Sequence, residues 1–440
     1  MRRLVYWSIC WLLLVGLSAP QDSRQAAHFT TEAGLSVFLV EHRANPMVEL
    51  QLLLPAGSKA DPANKAGLAH LVAWMFNEGA GQQQARAFQE QLEFLGVHLN
   101  ASADHDFFSI RMTTLTRHLP QAWAMLHTAL WQPRFDAETF QRALRDQQAA
   151  LTQEQEDADT MASRAFYRLL YRDHSYSQPV RGTLETVGQI TMEDVRSFRE
   201  RWFRPQSMIL AVAGDVDGAT LRQLCDQLGA AGQDRMTAPV TVPGQLAELS
   251  QASQTHVTMP IPQTAVRYGT LAINRHDPDY YALYVMNQIL GGSTLTGRLG
   301  EVIREQRGLV YSVSSYFVPL MDRGPFIVAL RTRNDRVTEA LDLVRRELHR
   351  IAAEGVTEAE REDAQRYLIG SFPLKLDGLA QIVAHWAAIG FYQLGHDYLE
   401  RWSDRIAAVT VADIQRVAQR LVRSGPFVTV TAGGGDVASR

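Results

Sequence analysis

The strongest constraint on the fold is that the chain repeats itself. ITMEDVRSFRERWFRPQSMILAVAG in the first half is echoed by VTVADIQRVAQRLVRSGPFVTVTAG at the end of the second. Thr191, Asp194 and Gly214 recur as Thr410, Asp413 and Gly433, each 219 positions on. Both stretches read as a Thr-capped helix, a short turn and an apolar strand. A second pair, FDAETFQRA from Phe135 and VTEAEREDA from Val356, is offset by 221. Two matches at nearly one offset imply a duplicated unit of about 200 residues. The 440 residues, 46% of them hydrophobic, are ample for two such units.

Within each unit strand patterns and helical periodicity alternate, so the expected fold class is α+β: two homologous domains, each a mainly antiparallel sheet packed with helices. HFTTEAGLSVFLVEHRANPMVELQLLLPAGS reads as strands turning at Asn45–Pro46, and helical periodicity covers about 66–95. NASADHDFFSIRM reads as a strand, 119–131 as a helix, and about 136–157 as a long helix with Asp136 as N-cap. A Gly/Pro/Thr/Gln-rich stretch at 229–255 reads as the linker between units at 28–228 and 256–435.

Ahead of the first unit, Arg2 and Arg3 precede the apolar stretch Leu4–Leu17 and small residues at Gly16, Ser18 and Ala19. Residues 1–19 therefore read as a secretory signal peptide, with an uncleaved anchor as the alternative, and imply export to a bacterial periplasm. Cys10 lies in that leader, leaving Cys225 as the one thiol behind it. That excludes an internal disulfide and a Cys-rich metal centre; Cys225 in LRQLCDQLG reads as a small core residue. A formal net charge of −4 argues against nucleic-acid binding.

GLAHLVAWMFNEGA, from Gly67, reads as a helix carrying His70, Ala73 and Trp74. The segment resembles the zinc-site helix of the pitrilysin/insulinase metallopeptidases, in the branch similar to mitochondrial processing peptidase. Family members carry H-x-x-E-H there and a glutamate ligand further along. Histidines at i and i+4 share one helix face and one zinc, and the glutamate between them activates zinc-bound water. In this chain Ala73 stands at the base position, Trp74 at the second histidine and Ala150 at the distant ligand, with Glu154 and Glu156 a helical turn or more beyond. One imidazole of three ligands cannot hold a catalytic zinc, so no cofactor is expected on this chain. His70 by itself reads as a hydrogen-bonded, partly buried helix histidine. A rearranged metal site from His28, His42, His98, Asp104 and His105 is the competing reading, although none of these has ligand spacing on a helix.

The second half contains NQILGGSTLTGRLGEVIREQRGLVYSVSSYF. Leu299, Val302 and Ile303 give a helical stripe, Gly308 can end it in the left-handed conformation, and LVYSVSSYF alternates as a strand. This block is similar to the family's R-E-x-x-G-L-x-Y-S motif, whose Arg and Tyr reach the peptide held at a zinc site. The resemblance implies that role for Arg304 and Tyr311; Arg298, the nearest competitor, reads as a contact to backbone or solvent. GVHLNASADHDFFSIRM resembles the family's substrate-receiving strand, which places Asn100, Ala101 and Ser102 against an extended peptide. The likeness spans about 28–435. It implies the non-catalytic, substrate-binding subunit of a heterodimeric zinc metallopeptidase, paired with a zinc-bearing homologue. The alternative is a catalytically silent peptide-binding or scaffold protein of the same fold.

Overall fold

Central strands here are buried along their whole length because helices cover both of their faces, whereas edge strands alternate in exposure. MVELQLLL and ILAVAG, both nearly fully buried, are of the first kind; HLNASA is of the second. The computed structural model describes residues 24–232, 246, 251–423 and 425–434. The leader expected over 1–19 lies outside them. So does most of the 229–255 stretch, flanked by a helix ending at Ala230 and a strand starting at Ser253.

The first half supplies β1 (Ala27–Thr30), β2 (Ser36–Glu41), β3 (Met47–Leu54), a short hairpin of β4 (Gly79–Ala80) and β5 (Gln83–Gln84), then β6 (His98–Ala103), β7 (Phe108–Leu115) and β8 (Ile209–Gly214). The second supplies β9 (Ser253–Thr258), β10 (Gln263–Leu271), β11 (Val310–Phe317), β12 (Pro325–Arg333) and β13 (Val428–Gly433). The first large sheet runs β1-β2-β8-β3-β7-β6 and the second β9-β13-β10-β12-β11. Only β2–β8 and β9–β13 are parallel. Apart from β1 the two sheets have the same order and the same strand directions, and β13 begins 219 residues after β8. The duplication in the sequence is a duplication of topology.

Capping follows the repeat. Thr191 and Asp194 form a reciprocal box at the start of Met192–Trp202, and Thr410 and Asp413 do the same before Val411–Arg423. Asp136 occupies the N-cap position expected of it, but its carboxylate binds Arg134 instead of a first-turn N–H. Its counterpart Thr357 makes a full capping box with Glu360. The helix expected over 66–95 is two, Leu68–Met75 and Ala85–Leu95, separated by the hairpin at Gly79 and Gly81, both at positive φ. The helix expected over 136–157 is a single one, Ala137–Glu154, and Asp157 just past its end caps the next, Ala158–Tyr171. The strand expected over NASADHDFFSIRM turns at Asp104–Phe107 into β6 and β7. Cys225 is fully buried, which pushes its thiol up, as a core residue's would be.

Neither half completes its own core. Helix Ala158–Tyr171 leaves the first half to pack on β10 and β13, and Leu379–Phe391, 221 residues later, packs on β2, β3 and β8. Phe166 and Leu170 sit with Ala265, Ile327 and Val430, while Trp386 stacks on Phe38 at 5.7 Å. Gly390 is required there, since a Cβ would come within 2.5 Å of the Phe38 ring. A buried polar knot ties the same seam. Asp106, in the β6–β7 turn, accepts hydrogen bonds from Lys59 Nζ at 2.8 Å, Tyr392 OH at 3.0 Å, the Met321 N–H at 2.8 Å and Tyr176 OH. Burial and that carboxylate push both phenols well above their ordinary pKa. The exchange of equivalent helices fixes one half against the other, and so fixes where the edge strands β6 and β11 stand.

Candidate functional site

Helix Leu68–Met75 starts at Gly67, whose φ of +99° suits glycine, and Asp61 accepts from the Gly67 and Ala69 N–H groups, each at 2.9 Å. Burial pushes the Asp61 carboxyl up to about 7. The helix lies against β6 and against helix Ala137–Glu154, so the positions matching the family's zinc ligands do converge. Their chemistry is gone. Ala73 is buried with no proton-carrying group, and Trp74 stands where a second imidazole would, with the Arg142 guanidinium 5.3 Å above its ring. Arg142 is itself paired with Glu78. Ala150 offers no ligand. Glu154, the nearest carboxylate beyond it, is held by Arg181 Nη1 at 2.7 Å and by Arg164.

His70 is half-buried, and burial lowers its pKa and keeps the ring neutral. The Gln147 side chain, on the facing helix, is its hydrogen-bonding neighbour and partly offsets that burial. One imidazole facing a tryptophan, two alanines and a carboxylate already claimed by arginines does not fit a zinc ion. The competing set is scattered. His28 Nε2 meets Ser36 Oγ at 2.9 Å, His105 Nδ1 meets Ser58 Oγ at 3.3 Å, and His98 is exposed at the start of β6. Among the described residues no three His, Cys, Asp or Glu side chains are grouped to hold a metal.

Of the four edge strands of the two large sheets, β1, β6, β9 and β11, two carry the residues expected to bind. β6 ends the first sheet, with Asn100 and Ser102 exposed and Ala101 half-buried between them. β11 ends the second. The ladder registers make these edges equivalent: Asn100 faces Arg111 on β7 as Ser314 faces Ala329 on β12, so Asn100–Ser102 correspond to Ser314–Tyr316.

The β11 edge carries a feature that β6 lacks. Val310 faces Thr332 but Val313 faces Leu330, so one extra residue is inserted at Tyr311–Ser312. A bulge of this kind re-aims side chains, and Tyr311 is 90% exposed, with no partner among the described residues. The turn before it, Gly300–Glu305, is π-helical, with Leu299 and Ile303 buried, and it packs on β11. Gly308 takes the left-handed conformation expected of it, at φ +61°. Arg304, half-exposed on that turn, forms no side-chain hydrogen bond or ion pair among the described residues. Arg298 does not contact solvent and backbone alone. It forms a two-pronged pair with Glu360, at 2.6 and 2.8 Å, and holds that carboxyl down at about 2. It therefore anchors the turn, while Arg304 and, past the turn, Arg307 have no side-chain partner among the described residues.

Beside Tyr311 opens a cavity of about 770 Å³, bordered by Ser312, Ser314, Gln263, Arg267, Arg331 and, from the exchanged helix, Asp159. Arg304 does not border it. The sequence reading missed this floor. The one available signal was PFIVALRTR, in which Arg331 interrupts the apolar face carried by Ile327 and Ala329.

Comparison with known proteins bears on both halves. Residues 37–184 match the description "Insulinase (Peptidase family M16)" and residues 189–368 match "Peptidase M16 inactive domain". A crystal structure from Pseudomonas fluorescens, described as a peptidase M16 inactive domain, is similar with a TM-score of 0.88 and 30% identity, over 93% of this chain and 98% of that one. A Bacillus subtilis protein described as a zinc protease is 20% identical over 93% of this chain and 99% of its own length. A Helicobacter pylori protein described as a non-peptidase homologue is 25% identical over 82% and 83%.

Proposed function

Because the chain belongs to the insulinase family of peptidases, family M16, we propose that it is a non-catalytic, peptide-binding subunit that works beside a zinc-bearing homologue. The observation that carries this reading is the contrast between the two edges. Where the family keeps zinc, this chain has Ala73, Trp74 and Ala150; where the family's Arg/Tyr block lies, Arg304 and Tyr311 are unspent, and Tyr311 is lifted out on a bulge.

In this reading the partner supplies zinc and the activated water. Tyr311 donates a hydrogen bond to the carbonyl oxygen that becomes negative during attack, and Arg304 places a fixed positive charge near it. The β6 edge, with Asn100, Ala101 and Ser102, takes an extended peptide through main-chain hydrogen bonds and accordingly tolerates many sequences. The leader would place the pair outside the cytoplasm, in a periplasm. No described helix is long and apolar enough to cross a membrane.

The test is reconstitution. This chain is mixed with the zinc-bearing homologue encoded nearest to it, and cleavage of unfolded protein and short peptides is followed. A saturable rise in rate at equal amounts of the two chains is expected, with no cleavage by this chain alone. A mixture no faster than the homologue alone would refute the reading. Recovery of non-peptidase partners only would favour the scaffold role.

A further inference from the structure

The cavity beside Tyr311 has a skewed hydrogen-bond inventory. Its one carboxylate, Asp159, is already committed: Oδ1 accepts from Arg267 Nη2 at 2.9 Å and Oδ2 accepts from Arg331 Nη2. Arg267 is buried and fully engaged, with Nε on Ser163 Oγ and Nη1 on the Val266 carbonyl. Arg331 is different. It is 41% exposed on its side chain, and its Nε and Nη1 donors have no partner among the described residues. The Tyr311 and Ser312 hydroxyls, the Ser314 hydroxyl and the Gln263 amide around it are likewise free among the described residues. The only side chains there that donate and cannot also accept are the guanidiniums, and the carboxylate that could answer them, Asp159, already holds both arginines. The guanidiniums of Arg267 and Arg331 face Asp159, and Asp157 Oδ2 lies 3.9 Å from Arg331 Nη2, so the charges balance and what the groove offers a ligand is the free donors of Arg331.

We propose that this groove is a peptide subsite that takes a carboxylate, an acidic side chain or the peptide's own C-terminal group, on the free edge of Arg331. An arginine fork matches a carboxylate in two parallel hydrogen bonds, and the Ser312 and Ser314 hydroxyls can donate to the neighbouring main-chain carbonyls. The register supports this placement: the strand that would hold the peptide, β11, is the counterpart of β6. At the positions of Arg267 and Arg331 the first sheet has Gln51 and Thr113, so the charge is particular to the second half. A smaller cavity of about 260 Å³ adjoins, sharing Gln263 and Arg331 and bordered by Glu156 and Asp157. With Asp157 already beside Arg331, recognition rests on direct hydrogen bonds and not on a positive field, and Glu156 and Asp157 would repel a carboxylate that overshoots Arg331.

This inference rests on the proposed peptide-binding role, and its test separates the two. Binding of fluorescein-labelled Gly/Ser/Leu peptides to the full chain is measured by anisotropy, with one central Glu or Gln and with a free or amidated C-terminus. A carboxylate in at least one arm should tighten binding by about tenfold, the gain expected of a hydrogen bond to a charged group. The arm that responds identifies the source. Arg331→Gln should erase that gain while leaving binding of the Gln amide peptide unchanged, and Arg331→Lys, which keeps the charge and loses the fork, should restore only part of it. Equal, saturable affinities for all four peptides would overturn the carboxylate subsite and leave the peptide-binding role standing. No binding of any peptide would overturn both.

Discussion

The two sheet edges began as copies and have diverged in opposite directions. Around β6, where His70, Ala73, Trp74 and Ala150 converge, the groups that would do chemistry are replaced or spent. Trp74 lies under Arg142, and Glu154 is held by two arginines. Around β11 the structure invests in presentation: a bulge lifts Tyr311 out, and the Arg298–Glu360 pair fixes the turn that carries Arg304. Absence of the catalytic ligands on one edge with free donors on the other is what the proposed accessory role requires.

The largest effect should come from breaking the frame that both edges share. Trp386→Ala removes a fully buried ring of the exchanged helix and should cost about 3–5 kcal/mol, read from the shift in a urea unfolding curve. Since each half caps the other's sheet, unfolding of the wild type should remain one cooperative transition; two separate transitions would show that the halves are independent. Asp106→Asn, which leaves Lys59 without its counter-charge in the buried seam, should cost about 3 kcal/mol.

A smaller effect sharpens the β11 side. Glu360 is held down at about 2 by Arg298, against an ordinary 4.5. A depressed carboxyl stabilises the fold above its unfolded pKa, and that contribution is lost as pH falls from about 4.5 to about 2. Glu360→Gln should remove that portion of the acid-induced loss of stability, and an unchanged pH profile between wild type and variant would break the assignment. The smallest effect belongs to the β6 side. His70→Ala should leave turnover of the reconstituted pair unchanged, and a large loss would mean that the emptied edge still takes part in chemistry.

What could be read in the sequence follows from what is local. The Thr–x–x–Asp capping boxes and the Gly308 turn are set by residues within one turn of each other, and both are found in place. The exchange of helices Ala158–Tyr171 and Leu379–Phe391 could not be read, because an amphipathic stripe tells that a face is buried and not which sheet buries it. The bulge at Tyr311 was equally silent, since an inserted residue is visible only in the register with β12. Arg331 and Asp159, 172 positions apart, meet only because of the exchange, so the floor of the cavity was beyond a strand-by-strand reading.

The central claim is that the β11 edge serves a metal site on another chain, and Tyr311→Phe in the reconstituted pair tests it most directly. Loss of one hydrogen bond to a developing oxyanion should lower kcat by about 100-fold with KM little changed. Zinc content and pairing should match the wild type. An unchanged kcat in a saturated, zinc-loaded pair would contradict the claim and leave Tyr311 as a surface tyrosine.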